Sequence, residues 1–235
     1  MIKGVIFDLD NTLINFWEFK QKAVLAASKQ IVDSNLEKDI HKVFDEIFSI
    51  YYSKGTDYQY AISDYLTKFD LDTKTFNQIL QKATNAYKFT KISNLVAYPG
   101  VINMLNTLKN SSYLLGLLTD ANSTQAKNRL EHCKLDKYFD CIVSFDDTNL
   151  FKPAKEPFLK VLKKLHLQAD EVAMVGDNLS RDIKGAKNLG IITFFAKWGF
   201  WYGYGDDDTK PDFILEHPMD LVKILNKINS LFQKL

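Results

Sequence analysis

Residues 4–7, Gly-Val-Ile-Phe, form a short unbroken apolar run, the pattern of a strand covered on both faces. The run stops at Asp8. From Glu18 to about Phe89 the apolar positions fall instead at three- and four-residue spacing: Val24, Ile31, Val43, Ile47 and Ile50, then Ile62, Leu66, Phe76, Ile79 and Leu80. That spacing predicts amphipathic helices. Turn-forming breaks at Asp33-Ser34-Asn35, Ser53-Lys54-Gly55 and Asp70-Leu71-Asp72 divide the stretch into about four helices. Beyond Pro99-Gly100 the pattern alternates: helix to about residue 109, strand 113–118, helix 123–132, strand 141–144, helix 156–165, strand 172–175, helix 180–188 and strand 191–195. A short strand at 213–215 and a helix over 218–231 follow.

Repeated strand–helix alternation predicts parallel strands joined by right-handed helical crossovers. The lone first strand must pair within that later sheet, because a single strand cannot satisfy its own backbone groups. The expected fold is therefore α/β, a Rossmann-like parallel sheet core built from residues 1–15 and 95–235, with an inserted α-helical bundle over residues 16–94.

Composition fits this picture without adding to it. The chain has 235 residues, 46% hydrophobic and 25% charged, which excludes a disordered or fibrous protein. Thirty basic and 29 acidic residues leave a formal charge of +1, so no global field draws the protein to nucleic acid or to an anionic membrane. The apolar start is too short and too soon charged for a signal peptide or a span, and a cytoplasmic location is expected. Cys133 and Cys141 form no CxxC pair, so reduced thiols are expected rather than a zinc site or a disulfide. His41, His132, His166 and His217 share no spacing that would gather a metal.

The chemistry lies at the strand ends. In an open α/β sheet, ligands bind outside the carboxyl ends of the strands, so the residues that follow each apolar run are read together. They are Asp8, Asp10 and Thr12; Thr119 and Asp120; Asp146, Asp147 and then Lys152; and Asp177 with Asp182. Carboxylates with a hydroxyl and a lysine suit a divalent cation and a phosphate group, and hard oxygen ligands point to Mg²⁺.

The order and spacing of these residues resemble the haloacid dehalogenase-like (HAD) superfamily, in its phosphatase branch with a small helical cap (subfamily I). The likeness rests on Asp8-Leu9-Asp10-Asn11-Thr12 after Val5-Ile6-Phe7, on Thr119 after Leu117-Leu118, on Lys152-Pro153, and on Gly176-Asp177-Asn178-Leu179-Ser180-Arg181-Asp182. It implies that Asp8 attacks phosphorus and, with Asp177 and the backbone carbonyl of Asp10, holds Mg²⁺. Asp10 would protonate the leaving oxygen and later deprotonate water. Thr119, Asp120 and Lys152 would bind the phosphoryl group, and Thr12 would either bond the phosphate or shape its loop. Asp182 would orient Lys152 or a metal-bound water, with a structural ion pair as the alternative. Two positions depart from the family pattern. Asp120 stands where asparagine is common, so its side chain is expected to turn towards the loop backbone. Asn149-Leu150-Phe151 stand where a glycine often precedes the lysine.

The resemblance implies a Mg²⁺-dependent phosphatase that hydrolyses a small phosphorylated metabolite through an aspartyl-phosphate. The acid at Asp10 argues against the dehalogenase branch. A phosphomutase of the β-phosphoglucomutase type is the enzymatic alternative, and a non-catalytic phosphate-binding HAD-fold protein the alternative of another class. A receiver domain is disfavoured by its shorter chain and later acceptor aspartate. Substrate choice is expected to lie in the cap, with no nucleic acid or membrane partner and a monomeric or homodimeric protein. The aromatic segment Trp198–Tyr204 is expected either at the mouth of the site or against the cap.

Overall fold

The computed structural model describes residues 1–55, 57–200 and 208–232. Among them, six strands form one sheet: β1 (Gly4–Phe7), β2 (Leu114–Leu118), β3 (Cys141–Val143), β4 (Val172–Gly176), β5 (Ile192–Ala196) and β6 (Phe213–Leu215). Their order is β3-β2-β1-β4-β5-β6, and every pairing is parallel. The α/β fold read from the sequence is the fold observed. The chain winds outward from β1 through β2 to β3, then returns to β4 on the other side of β1. The order therefore reverses between β1 and β4, and Phe7 sits in register with Leu117 on one side and Val175 on the other. All four residues of β1 are buried, which explains a run with no polar alternation.

Residues Met1–Asn15 with Val96–Leu235 make one compact unit, and Phe16–Leu95 a second. The second unit contains helices α1 (Phe16–Val32), α2 (Ile40–Lys54), α3 (Ala61–Leu66) and α4 (Thr73–Asn94). Asp39 accepts the backbone N–H of His41 to cap α2, and Asp72 accepts that of Thr75 to cap α4. Val24, Ile31, Val43, Ile47, Ile62 and Leu66 are buried at the helical spacing seen in the sequence. Lys20 is buried there too, its Nζ 3.5 Å above the centre of the Tyr51 ring and donating to the Tyr87 hydroxyl at 2.9 Å. Burial pushes the Tyr51 phenol up to about 12.

The sheet unit carries α5 (Val101–Asn110), α6 (Ser123–His132), α7 (Lys155–Leu165), α8 (Lys184–Lys187) and α9 (Pro218–Phe232). On α7 the stripe Phe158, Val161, Leu162 and Leu165 packs with Ile6, Leu118 and Val143 of the strands. A Cβ at Gly116 would lie 2.8 Å from a Val161 methyl, so the glycine sets how closely α7 approaches β2. The helix predicted over 180–188 is not a plain α-helix. It opens as a π-helical turn over Leu179–Ile183 and becomes α8 only at Lys184. No described helix is long and apolar enough to cross a membrane. Cys133 and Cys141 are free, and burial raises each thiol to about 11.

Candidate active site

Asp8 is the first residue past β1, fixed where its backbone N–H donates to the Val175 carbonyl at 2.9 Å. Its carboxylate is held from two sides. Oδ1 accepts from Lys152 Nζ at 2.6 Å, and Oδ2 lies 3.1 Å from the Thr12 hydroxyl, which also lies 3.1 Å from Asp177 Oδ1. Lys152 Nζ is 2.7 Å from Asp182 Oδ1 and donates to the Leu118 carbonyl at 3.1 Å. The structure thus brings Asp8, Thr12, Lys152, Asp177 and Asp182 into one buried cluster at the carboxyl ends of β1, β2 and β4, where the strand order reverses.

The π-helical turn places Asp182. Asn178 Oδ1 accepts the Arg181 N–H at 3.0 Å and Asp182 Oδ2 accepts the Asn178 N–H at 3.1 Å, so the Asp182 side chain folds back beneath Gly176. A Cβ on Gly176 would lie 2.4 Å from the Asp182 carboxylate carbon, closer than real contacts allow. We expect Gly176→Ala to displace Asp182 from Lys152, costing about 1–3 kcal/mol of stability by overpacking. Activity should fall by roughly tenfold or more from the resulting misplacement. Thermal melts together with phosphate-release kinetics check this; wild-type behaviour in both would show that Asp182 does not set the position of Lys152.

Charge in the cluster is unbalanced. Carboxylate oxygens of Asp8, Asp177 and Asp182 all lie within 4.8 Å of one another. Burial, reinforced by the charges of Asp8 and Asp182, drives the Asp177 carboxyl well above the usual carboxylate range. Burial also raises Asp182, to about 7, against the opposing pull of Lys152. For Lys152 burial alone would lower the ammonium, but Asp182, Asp8 and Asp120 outweigh it and hold the group well above its ordinary value. Asp177 Oδ2 is buried and has no hydrogen-bond partner among the described residues. Carboxylates crowded this closely, with one oxygen unsatisfied, fit a hard divalent cation.

The other predicted residues are held by separate contacts. Thr119, the first residue past β2, is buried; its backbone N–H donates to Val143, and its hydroxyl accepts the Ala121 N–H at 3.2 Å. Asp120 turns to the loop backbone, where Oδ1 accepts the Lys152 N–H at 2.9 Å, with Oδ2 3.4 Å from Arg181 Nη1. Asp10 pairs through Oδ2 with Nη1 of Arg129. Asp146 and Asp147 do not join the site. Asp146 accepts the N–H and hydroxyl of Ser123 at the start of α6, and Asp147 pairs with Lys160 and Lys164.

Two contacts were not foreseen from the sequence. Arg129 is a basic residue on the inward face of α6 beside Ala126 and Leu130, and that placement is a signal a helical wheel contains. Trp198 donates its indole N–H to the Thr12 carbonyl at 3.0 Å, and a Cβ on Gly199 would strike the Asn11 carbonyl oxygen at 1.6 Å. The start of the aromatic segment therefore braces the Asp10–Thr12 loop. Residues 201–207, including Trp201, Tyr202 and Tyr204, lie outside the described residues.

Residues 5–196 match the haloacid dehalogenase-like hydrolase family. The glyceraldehyde 3-phosphate phosphatase of Methanocaldococcus jannaschii is 33% identical over 98% of this chain and 100% of its own length. The pyrophosphatase PpaX of Bacillus mycoides is 30% identical over 97% of this chain and 99% of its own. Among solved structures, a HAD phosphatase from Thermococcus onnurineus superposes with a TM-score of 0.70 at 23% identity, covering 95% of this chain and 98% of that one. With a match that runs from β1 into β5 and relatives aligned over nearly their whole length, the chain belongs to the haloacid dehalogenase-like hydrolase family.

Proposed function

We propose that the protein is a Mg²⁺-dependent phosphatase that hydrolyses a small phosphomonoester through a phosphorylated Asp8. The observation that carries this reading is the Asp8 carboxylate itself, held by the Lys152 ammonium at 2.6 Å and next to the unsatisfied oxygen of Asp177. An oxygen nucleophile here attacks phosphorus while the ester P–O bond breaks, and the bonding pair departs on the ester oxygen. Asp10 supplies that oxygen with a proton, so the alcohol leaves neutral. In the second half, Asp10 takes a proton from water as the water oxygen attacks phosphorus and the bond to Asp8 breaks. Inorganic phosphate and the original carboxylate result.

The other groups position and neutralise. Lys152 compensates charge spread over the transferred phosphoryl group, while Thr119 donates its hydroxyl to a phosphoryl oxygen. Asp182 keeps Lys152 aimed at Asp8, and Asp120 fixes the Lys152 backbone. Thr12 holds the facing oxygens of Asp8 and Asp177. Asp8 and Asp177, with the Asp10 carbonyl, would hold Mg²⁺, which when bound supplies the positive charge that lets these acids ionise together beside a phosphate. The inserted helices, residues 16–94, are assigned the part of a cap that selects the organic group.

The names of the relatives, a glyceraldehyde 3-phosphate phosphatase and a pyrophosphatase, favour a small phosphorylated substrate. The test is inorganic phosphate release from p-nitrophenyl phosphate, glyceraldehyde 3-phosphate, phosphoglycolate and pyrophosphate. We expect at least one to be hydrolysed, with activity falling by ~100-fold or more in EDTA and returning with Mg²⁺. Equal rates in EDTA would remove the cation from the account. No release from any phosphorylated metabolite would end it.

A further inference from the structure

Arg129 lies in the interior of the sheet unit with 2% exposure and is among the largest fully buried side chains in the protein. A guanidinium withdrawn from water costs several kcal/mol unless it is paired. It pairs with Asp10, 119 residues earlier in the chain. Its neighbours on the inward face of α6, Ala126 and Leu130, are apolar. Apolar replacements of buried ion pairs are often tolerated or even stabilising.

The loop that carries Asp10 is also held without Arg129. Asn11 N–H donates to Ile14 at 2.8 Å, Leu13 N–H to Leu9 at 2.9 Å, and Trp198 bonds the Thr12 carbonyl. Those contacts fix the backbone, and Arg129 engages the Asp10 carboxylate through Oδ2. It sits on a helix whose start is pinned by Asn122 accepting the Gln125 N–H and by Asp146 accepting from Ser123.

Resting on the phosphatase reading above, we propose that Arg129 is a positioning residue for Asp10. It engages Oδ2 and so fixes the direction of the carboxyl that delivers a proton to the ester oxygen as the P–O bond breaks, and that later takes one from water. Arg129 touches neither phosphate nor leaving group in this role; it acts through Asp10.

The consequence is selective. Proton delivery matters for an alkyl phosphate, whose alkoxide is a poor leaving group, and matters little for p-nitrophenyl phosphate, whose phenolate leaves unaided. The ratio kcat/KM reports the first half-reaction, in which that difference appears. In Arg129→Met we expect kcat/KM for the best alkyl phosphate to fall about 100-fold and that for p-nitrophenyl phosphate to fall less than about threefold. Arg129→Lys, which restores the charge but not the fork of the guanidinium, should recover about tenfold of the alkyl loss. A merely structural loosening would displace Asp8 as well and lower both esters alike, so equal losses overturn the proposal, as does full activity of Arg129→Met on both. Should Arg129→Met fail to fold by circular dichroism, the same comparison is read from Arg129→Lys. A selective loss of about tenfold on the alkyl ester then supports the proposal and an equal loss overturns it. If the wild-type protein releases phosphate from neither ester, or if Asp8→Asn keeps full activity, the phosphatase reading itself has failed and the role of Arg129 falls with it. An inactive Asp8→Asn beside an unselective Arg129→Met overturns only the latter.

Discussion

Asp8→Asn is expected to lower phosphate release by ~10³-fold or more while leaving the protein folded. Asparagine keeps the shape of the carboxylate and still offers an oxygen to Lys152, so the loss reports nucleophilicity and not a collapse of the loop. The effect on stability runs the other way. Asp8 is one of the acids that raise Asp177 and Asp182, so removing its charge relieves repulsion inside a buried cluster. The melting temperature of Asp8→Asn in EDTA should equal or exceed that of the wild type. An enzyme in which one change both abolishes turnover and steadies the fold has placed charge there for chemistry rather than for stability. Full activity in Asp8→Asn, measured on the best substrate with Mg²⁺ present, would show that another group attacks.

Lys152→Met is expected to cost both activity and stability. Its ammonium lies 2.6 Å from Asp8 and 2.7 Å from Asp182, so its removal leaves two buried carboxylates without their cation. Loss of one partner from a buried pair costs about 3–5 kcal/mol, and, on the proposed role of Lys152 at the transferred phosphoryl group, kcat should fall by roughly 10²- to 10³-fold. The pH dependence gives the sign. Asp182 titrates near 7 in the folded wild type against 3.8 for an ordinary aspartate, so between those values the native state binds more protons than the unfolded chain. Stability contributed at this site therefore falls as pH rises from about 4 to about 7. Without Lys152 the carboxyls go still higher, and the melting temperature of Lys152→Met in EDTA should lie further below wild type at pH 8 than at pH 5. A constant difference across that range would show that the ammonium does not neutralise these acids.

Much of the sheet could be read because buried parallel strands leave unbroken apolar runs. The residues after Phe7, Leu118 and Gly176 follow from that reading, since in this topology strand ends converge on one edge. The same rule over-reached at the third strand. Asp146 and Asp147 also follow an apolar run, but β3 is an edge strand away from the point of reversal, and these acids cap α6 and pair with Lys160 and Lys164 of α7. The π-helical turn at Leu179–Ile183 was hidden because it arises from side chains, Asn178 and Asp182, that bond the backbone around them. Hydrophobic spacing does not register such bonds. The contacts of Arg129 and Trp198 escaped for a related reason. Each reaches a residue more than 100 positions away in the chain; Arg129 belongs to no motif, and the aromatic segment that opens at Trp198 does not reveal which residue it bonds.

Phosphorylation of Asp8 is tested most directly by trapping it. The enzyme is quenched in acid during turnover of its best substrate, reduced with borohydride, digested and mapped by mass spectrometry. Reduction converts an acyl phosphate of aspartate to homoserine, so the peptide holding residue 8 should carry homoserine in the quenched sample and aspartate in a control without substrate. Reduction at a different carboxylate, or an unmodified Asp8 in an enzyme caught while turning over with phosphorylation rate-matched to release, would contradict the covalent route.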